Sequence, residues 1–320
     1  HDYRPSQLIH HAAAPSRDSI DSWVVPDLRV GAFTDTMALI VRKLSKRYGS
    51  QVALDDVGFT LSDGVVALLG ANGSGKSTLL RVLATLSPPD DGELSFEGQH
   101  YGHDQRALRT QIGYLPQDVE LPAALTPRKL LTYLARLRGG SPASVLAALH
   151  LDDLADHPFR QLSSGQMRRV GIAQALLNQP RLLLLDELSR GLDVTERENV
   201  HRLVKKYSGL TIFSTHLPEE AERLAQSVII LQDGRICYAG DIEMLCAAAA
   251  GQIYELRLPI EQLSRLTMPE SIVRITLQGD YCIVRSLKRP SHLEAVSVDA
   301  TLEDAYLLLT RQRNKPPRIG

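Results

Sequence analysis

Two short stretches carry groups suited to phosphate chemistry. Residues 70–77, GANGSGKS, satisfy the pattern G-x-x-x-x-G-K-[ST]. Their members are Gly70, Ala71, Asn72, Gly73, Ser74, Gly75, Lys76 and Ser77. The glycines allow successive backbone N–H groups to turn inward around phosphate oxygens. A helix starting there would aim its positive end at the same anion. Lys76 then supplies a point charge for the β- and γ-phosphates of a nucleotide, and Ser77 a hydroxyl for Mg²⁺. The second stretch, RLLLLDE, is an apolar run ending in Asp186 and Glu187. A buried strand of this kind presents its last carboxylate at the carboxyl edge of a sheet, where ligands bind in open α/β folds. Asp186 is suited to hold Mg²⁺, directly or through water, and Glu187 to polarise an attacking water.

The elements that must position these groups are legible around them. GVVALLG, residues 64–70, is a continuous apolar run and reads as a buried strand feeding the glycine loop. Residues 75–86 read as a helix with Leu79, Val82, Leu83 and Leu86 on one face. SPPDDGEL reads as a turn cluster. Helices are expected at 127–138, 142–151, 165–178 and 195–207, and strands at 181–186 and 210–214. ALIVRKL and VGFTL read as earlier strands, and SVIILQDG as a late strand in a hairpin with RICYAG. Strands alternating with helices predict a mostly parallel sheet covered on both faces.

Beyond residue 251 the pattern changes. YELRLP, VRITLQG and YCIVRSL are short alternating segments, and TLEDAYLLLTRQ reads as a closing helix capped by Thr301. The chain therefore divides into 1–36, read as a disordered extension; 37–247, a nucleotide-binding domain; 252–313, a small C-terminal α+β domain; and a basic, solvated tail at 314–320. The chain opens on His1, and strand patterning begins only after Met37, which marks 1–36 as an extension or start-site artefact.

Composition narrows the function classes. The net charge of −1 supplies no global field for nucleic acid or anionic lipid, and no nucleic acid is expected as a partner. Three scattered cysteines, Cys237, Cys246 and Cys282, offer neither a disulfide framework nor metal-ligand spacing, which fits a reducing compartment. No apolar run has the length of a bilayer span.

The block LSSGQMRRVGIAQALLNQPRLLLLDE resembles the signature-to-Walker-B region of ATP-binding cassette (ABC) ATPases, and the family's other motifs follow in order. Tyr48 in KRYG matches the aromatic that stacks on adenine, and Gln117 in GYLPQ the glutamine of the Q-loop, a metal ligand. Ser163, Gly165 and Gln166 of LSSGQ match the signature that contacts nucleotide; Asp193 of GLD matches the D-loop; His216 of STH matches the switch histidine. The likeness covers about residues 37–245.

The resemblance implies a P-loop NTPase with an antiparallel β subdomain and a helical subdomain beside the main sheet. The glycine-loop residues through Thr78 would bind ATP. Lys76, Glu187 and His216 would act in hydrolysis, and Ser77, Gln117 and Asp186 would serve Mg²⁺. It further implies head-to-tail pairing with a second nucleotide-binding domain, identical or different. Ser163 and Gly165 precede a helix, so hydroxyl, N–H and helix dipole there suit a partner's γ-phosphate.

Three positions depart from the family pattern. Ser164 stands where LSGGQ has glycine. Leu188 and Ser189 stand where DEPT has proline and threonine, removing a φ restriction just after Glu187.

The compact helical section and the ending TLEDAYLLLT resemble the bacterial export-type branch. The reading is therefore an ATPase peripheral to the cytoplasmic face of the cell membrane, moving a separate transmembrane permease. An importer ATPase and a soluble regulatory ATPase are the competing readings. Soluble relatives of the translation type carry two cassettes and those of the chromosome type a long coiled coil, neither of which is present here.

Overall fold

A computed structural model describes residues 29–30, 39–102, 105–265, 271–290 and 293–313. The tail 314–320 lies outside them, as does the extension 1–36 except for strand β1 (Arg29–Val30), parallel to Thr60 and Leu61.

Strands β2 (Leu39–Tyr48) and β3 (Gln51–Leu61) form an antiparallel hairpin closed by Gly49, at φ 57°, and Ser50. Leu39, Val41 and Leu44 face Leu54, Val57, Phe59 and Leu61 in one core. Strand β4 (Val65–Leu69) is buried throughout and ends at the glycine loop, which leads into helix α1 (Lys76–Leu83). Of the segment read as a turn cluster, 87–90 stays outside any strand, while 91–94 belongs to strand β5 (Asp91–Phe96), antiparallel to β2. Its Asp-Asp-Gly start reads as a turn, yet Gly92 sits at φ 98° where a Cβ would lie 2.6 Å from the Arg42 carbonyl oxygen. Glycine is the residue that lets the two backbones meet there. A two-residue strand β6 (Gln99–His100) and a short helix α2 (Gln105–Thr110) lead to β7 (Ile112–Leu115).

Helices α3 (Pro127–Arg138) and α4 (Pro142–Ala148) each start with proline after a side-chain cap, Thr126 and Ser141. Helix α5 (Ser164–Leu176) leads to β8 (Leu182–Leu185), and α6 (Val194–Lys206) to β9 (Leu210–Thr215). Then come α7 (Pro218–Leu224), the hairpin β10 (Ser227–Gln232) and β11 (Arg235–Asp241), and α8 (Ile242–Ala248). The main sheet has the order β11-β10-β4-β9-β8-β7, parallel except for β11. The other cassette sheet is β1-β3-β2-β5-β6, antiparallel apart from β1.

Alternation along the central strands sorts their side chains into two cores. Val65, Ala67 and Leu69 of β4 and Leu183 and Leu185 of β8 pack on the helices α5, α6 and α7. Val66, Leu68, Leu182 and Leu184 pack against α1 and the antiparallel sheet. Burial on both faces is why these strands are continuous apolar runs. The chain is thus α/β, with a mostly parallel sheet, an antiparallel β layer and a helical section.

The C-terminal strands β12 (Tyr254–Pro259), β13 (Ile272–Gln278), β14 (Tyr281–Ser286) and β15 (Val296–Ser297) form a sheet of order β13-β14-β12-β15. Its own core is small: Leu256, Leu258, Cys282 and Val284. The closing helix α9 (Leu302–Arg313) sends Leu302, Ala305, Leu308 and Leu309 into the helix-side core of the cassette instead. Thr301 caps it, its hydroxyl accepting from the Asp304 N–H at 3.4 Å. Burial alone would push the Asp304 carboxyl up, but bonds from Arg285 and Thr301 hold it below the usual carboxylate range.

Candidate functional site

The glycine loop closes on itself through its own lysine. Lys76 Nζ donates to the carbonyl oxygens of Gly70 at 2.8 Å and Ala71 at 2.9 Å, and the residue is only 6 % exposed. Burial pushes the Lys76 ammonium down, while Asp186 and Glu187 oppose that shift. Gly75, at φ 107°, immediately precedes α1; a Cβ there would sit 2.5 Å from the Ala53 carbonyl oxygen. The first intrahelical bond runs from the Leu79 N–H to the Gly75 carbonyl at 2.9 Å. The amides of Lys76, Ser77 and Thr78 lie ahead of it, the position from which helix N–H groups reach an anion.

A cleft of ≈ 490 Å³ opens over this loop. Tyr48, Asn72, Gly73, Gly75, Lys76, Ser77, Thr78, Gln117 and Glu187 line it, joined by Gln51 and Ala53. The hairpin turn places Tyr48 at its rim, 48 % exposed, with Lys46 Nζ 5.6 Å from the ring centroid. Gly70, Ala71 and Ser74 are not among the residues that line the cleft. Ser74 Oγ is buried without a hydrogen-bond partner.

Asp186 follows strand β8 directly and lies outside the residues that line the cleft; it is 1 % exposed, and its Oδ1 accepts from Ser214 Oγ at 2.6 Å. The same Ser214 Oγ accepts from the Glu187 N–H at 2.8 Å. Glu187 adopts φ 51°, in the left-handed region. A residue before proline is pushed toward extended backbone, so Leu188 leaves Glu187 free to take this turn. Leu188 itself is fully buried in the helix-side core, giving the turn an apolar anchor. Arg190 Nε lies 3.6 Å from Glu187 Oε2, and its Nη1 3.1 Å from Asp118 Oδ1 beside Gln117.

Arg168, a residue that motif spacing does not single out, ties these strands' ends together. Its guanidinium donates to the carbonyls of Pro116 (2.6 Å), Gln117 (2.8 Å), Asp186 and Glu187 (2.6 Å). It is 3 % exposed, and burial pushes its pKa down to about 10. Its sequence signal is faint: one of two adjacent arginines on α5, a helix otherwise largely buried. Ser214 was equally hidden, one serine among 24, whose role appears only when β8 and β9 pair.

The remaining expected residues do not line this cleft. Ser163 caps α5: its Oγ accepts from the Gln166 N–H at 3.1 Å, and Gln166 Oε1 accepts from the Ser163 N–H at 2.9 Å. Both keep donors for a ligand, the Ser163 hydroxyl hydrogen and the Gln166 amide. Gly165 packs on the start of α6, where a Cβ would meet Glu196 Oε2 at 2.7 Å and the Gly191 carbonyl at 2.9 Å. Asp193 caps α6, its Oδ1 accepting from the Glu196 N–H at 2.8 Å. His216 is exposed just past β9. The starts of α5 and α6 thus meet each other away from the residues that line the cleft.

The donor set suits a hard cation. Ser77 hydroxyl, Gln117 amide oxygen and Asp186 carboxylate are all oxygen ligands, the kind Mg²⁺ takes together with phosphate oxygens. Among the described residues there is no group of three or more His, Cys, Asp or Glu side chains that could hold a metal ion.

Comparison with known proteins places this geometry. A family model described as "ABC transporter" matches residues 54–190. The chain is 30 % identical over 296 residues to the Nod factor export ATP-binding protein I of Sinorhizobium fredii (strain NBRC 101917 / NGR234), covering 83 % of this chain and 86 % of that one. It is 34 % identical over 304 residues to the sulfate/thiosulfate import ATP-binding protein CysA of Bradyrhizobium diazoefficiens, covering 89 % and 84 %. A solved ATP-binding subunit of an ABC transporter superposes with a TM-score of 0.60 at 29 % identity, over 66 % of this chain and 92 % of that one. A dimeric, post-hydrolysis ATP-binding cassette bound to ADP and Pi superposes at 0.57 and 26 % identity, over 63 % and 98 %.

Proposed function

This chain belongs to the ABC transporter family as an ATP-binding, ATP-hydrolysing subunit, and we propose that it drives an exporter, as one of two copies beneath a separate transmembrane permease. The observation that carries the proposal is the convergence of Lys76, Ser77, Gln117 and Glu187 on one cleft, while Ser163, Gly165 and Gln166 face elsewhere. Half a site in each place suits head-to-tail pairing. Both halves are intact here, so a second copy of the chain completes two sites.

In this reading ATP lies along the loop. Tyr48 stacks on the base, and the amides from Gly73 to Thr78 with Lys76 bind the phosphates. Mg²⁺, held by Ser77, Gln117 and Asp186, would neutralise charge on the β- and γ-phosphate oxygens. Glu187 polarises the water that attacks the γ-phosphorus. His216 lies beyond the cleft's lining and approaches the γ-phosphate on closure. Ser163, Gly165 and Gln166 contact the partner's γ-phosphate from the capped start of α5, with Asp193 at the junction. Binding energy is realised in the closed pair and transmitted to the permease, a two-state element favoured by ATP.

Export is supported by the small C-terminal unit and by the Nod factor export relatives, matched over most of their length. The sulfate import relatives favour a second reading, an importer ATPase. No helix among the described residues is long and apolar enough to cross a membrane, so attachment to the cytoplasmic face would run through the permease. The test is affinity purification of the Glu187→Gln chain from native membranes with MgATP. Co-purification of a polytopic membrane protein is expected. A solute-binding protein alongside it would move the chain to import. Ribosomal or DNA-bound material without a membrane protein would overturn the transport role.

A further inference from the structure

Behind the Glu187 turn lies a buried polar cluster that the phosphate chemistry does not use. Ser189 Oγ donates to Glu220 Oε1, and His201 Nε2 lies 2.9 Å from that Oγ and 3.3 Å from that Oε1. The Thr215 hydroxyl accepts from the Leu217 N–H at 3.0 Å and also favours the charged Glu220 carboxylate. His201 is 4 % exposed, and Thr215 is buried beside it. Its Nδ1 is buried with no partner. That fixes the tautomer: a hydrogen on Nδ1 would be a stranded donor, so the hydrogen sits on Nε2, where two acceptors wait. Burial alone would raise the Glu220 carboxyl, but bonds from His201, Ser189 and Thr215 hold it below the usual carboxylate range.

The four residues come from four places. Ser189 follows Glu187 by two positions; His201 lies on α6; Thr215 ends β9 immediately before His216; Glu220 lies on α7. Two of the four therefore adjoin residues assigned to hydrolysis. The turn they hold is the one in which Glu187 adopts φ 51°, and it lacks the ring constraint a proline at 188 would give. A backbone in that region persists only where its surroundings over-determine it.

We propose that Ser189, His201, Thr215 and Glu220 form a positioning node that sets the Glu187 turn and locks it to the β9 end presenting His216. None of the four touches nucleotide; they act through Glu187 and His216. The proposal rests on the reading of Glu187 as the residue that polarises water. Losing the node leaves the phosphate loop intact, so nucleotide binding survives while the chemical step slows.

The experiment compares MgATP hydrolysis, nucleotide affinity and thermal melting for Ser189→Ala, Ser189→Thr, His201→Phe and the Ser189→Ala/His201→Phe pair, with Glu187→Gln alongside. Ser189→Ala and His201→Phe are each expected to lower kcat about 5- to 10-fold, the effect of one buried hydrogen bond, with KM and Kd for ATP within about twofold. The pair should be no worse than about the weaker single variant, because the two residues share one network. Ser189→Thr, which keeps the hydroxyl, should retain the native rate; a purely packing role would not distinguish it from alanine in this way. Unchanged kcat in both single variants, or losses that multiply in the pair, would overturn the node. Wild-type hydrolysis by Glu187→Gln would instead remove the underlying reading of Glu187, so the two failures are separable.

Discussion

Glu187 occupies a backbone setting, φ 51°, that side-chain-bearing residues adopt sparingly. Such a setting costs about 1–3 kcal/mol and must be held by its neighbours. Here Ser214 takes its N–H and Arg168 its carbonyl, which leaves the carboxylate to face the cleft. Replacing the carboxylate with an amide keeps the shape and removes the base. Glu187→Gln should therefore bind ATP as the native chain does and hydrolyse it about 10²- to 10⁴-fold more slowly in a phosphate-release assay. Lys76 plays the opposite part, as a charge on the bound phosphates. Lys76→Ala should weaken ATP binding roughly 10- to 100-fold in a fluorescent-nucleotide titration, the worth of a charge-assisted hydrogen bond. Lys76, Ser77, Gln117, Asp186 and Glu187 were legible in the sequence because each lies at a fixed spacing within or beside a local motif. Ser214 and Arg168 were not, because both act on groups brought from other strands, and no local pattern records such a meeting.

Helix α5 is where signature, Q-loop and β8 are joined. Its N-terminus is built by the reciprocal Ser163–Gln166 cap, its middle carries Arg168, and Arg169 pairs with Glu196 of α6 at 3.0 Å. Movement of this helix is therefore felt at Gln117 and Glu187 together. Arg168→Met would keep the apolar stem but strip the donors from four carbonyls. Buried acceptors left without partners cost about 1–3 kcal/mol each, and relaxation recovers part of the sum. Urea denaturation should show a loss of about 3 kcal/mol; a variant within about 0.5 kcal/mol of the native chain, as for an ordinary surface change, would refute the tie. At this scale the long elements were legible: α3 spans the expected residues 127–138, and β12 the expected YELRLP. The misses were short or disguised. Helices α2, α7 and α8 run six or seven residues, too few for periodicity to speak. Strand β5 opens on residues that elsewhere make turns, and only pairing with β2 reveals it.

Across the whole molecule, helix α7 stands between two sets of contacts. Glu220 faces the Ser189–His201 cluster, while Glu219 meets Arg274 at 2.7 Å and Glu222 accepts from the Leu302 N–H at 3.4 Å. The C-terminal unit thus leans on the helix that follows His216, and α9 shares the cassette's core. Three of its four strands were legible as alternating segments, but the two-residue β15 and the docking of α9 were not, since an amphipathic stripe does not name the surface that covers it. The capped start of α5, with Ser163, Gly165 and Gln166, does not line the cleft over the phosphate loop; in the proposed reading a second copy supplies its nucleotide. The most direct measurement is sedimentation velocity of Glu187→Gln with and without MgATP, since that variant holds ATP without consuming it. The account predicts a monomer that converts to a dimer on adding MgATP and returns when nucleotide is removed. A monomer at saturating MgATP, with ATP bound, would contradict the composite site.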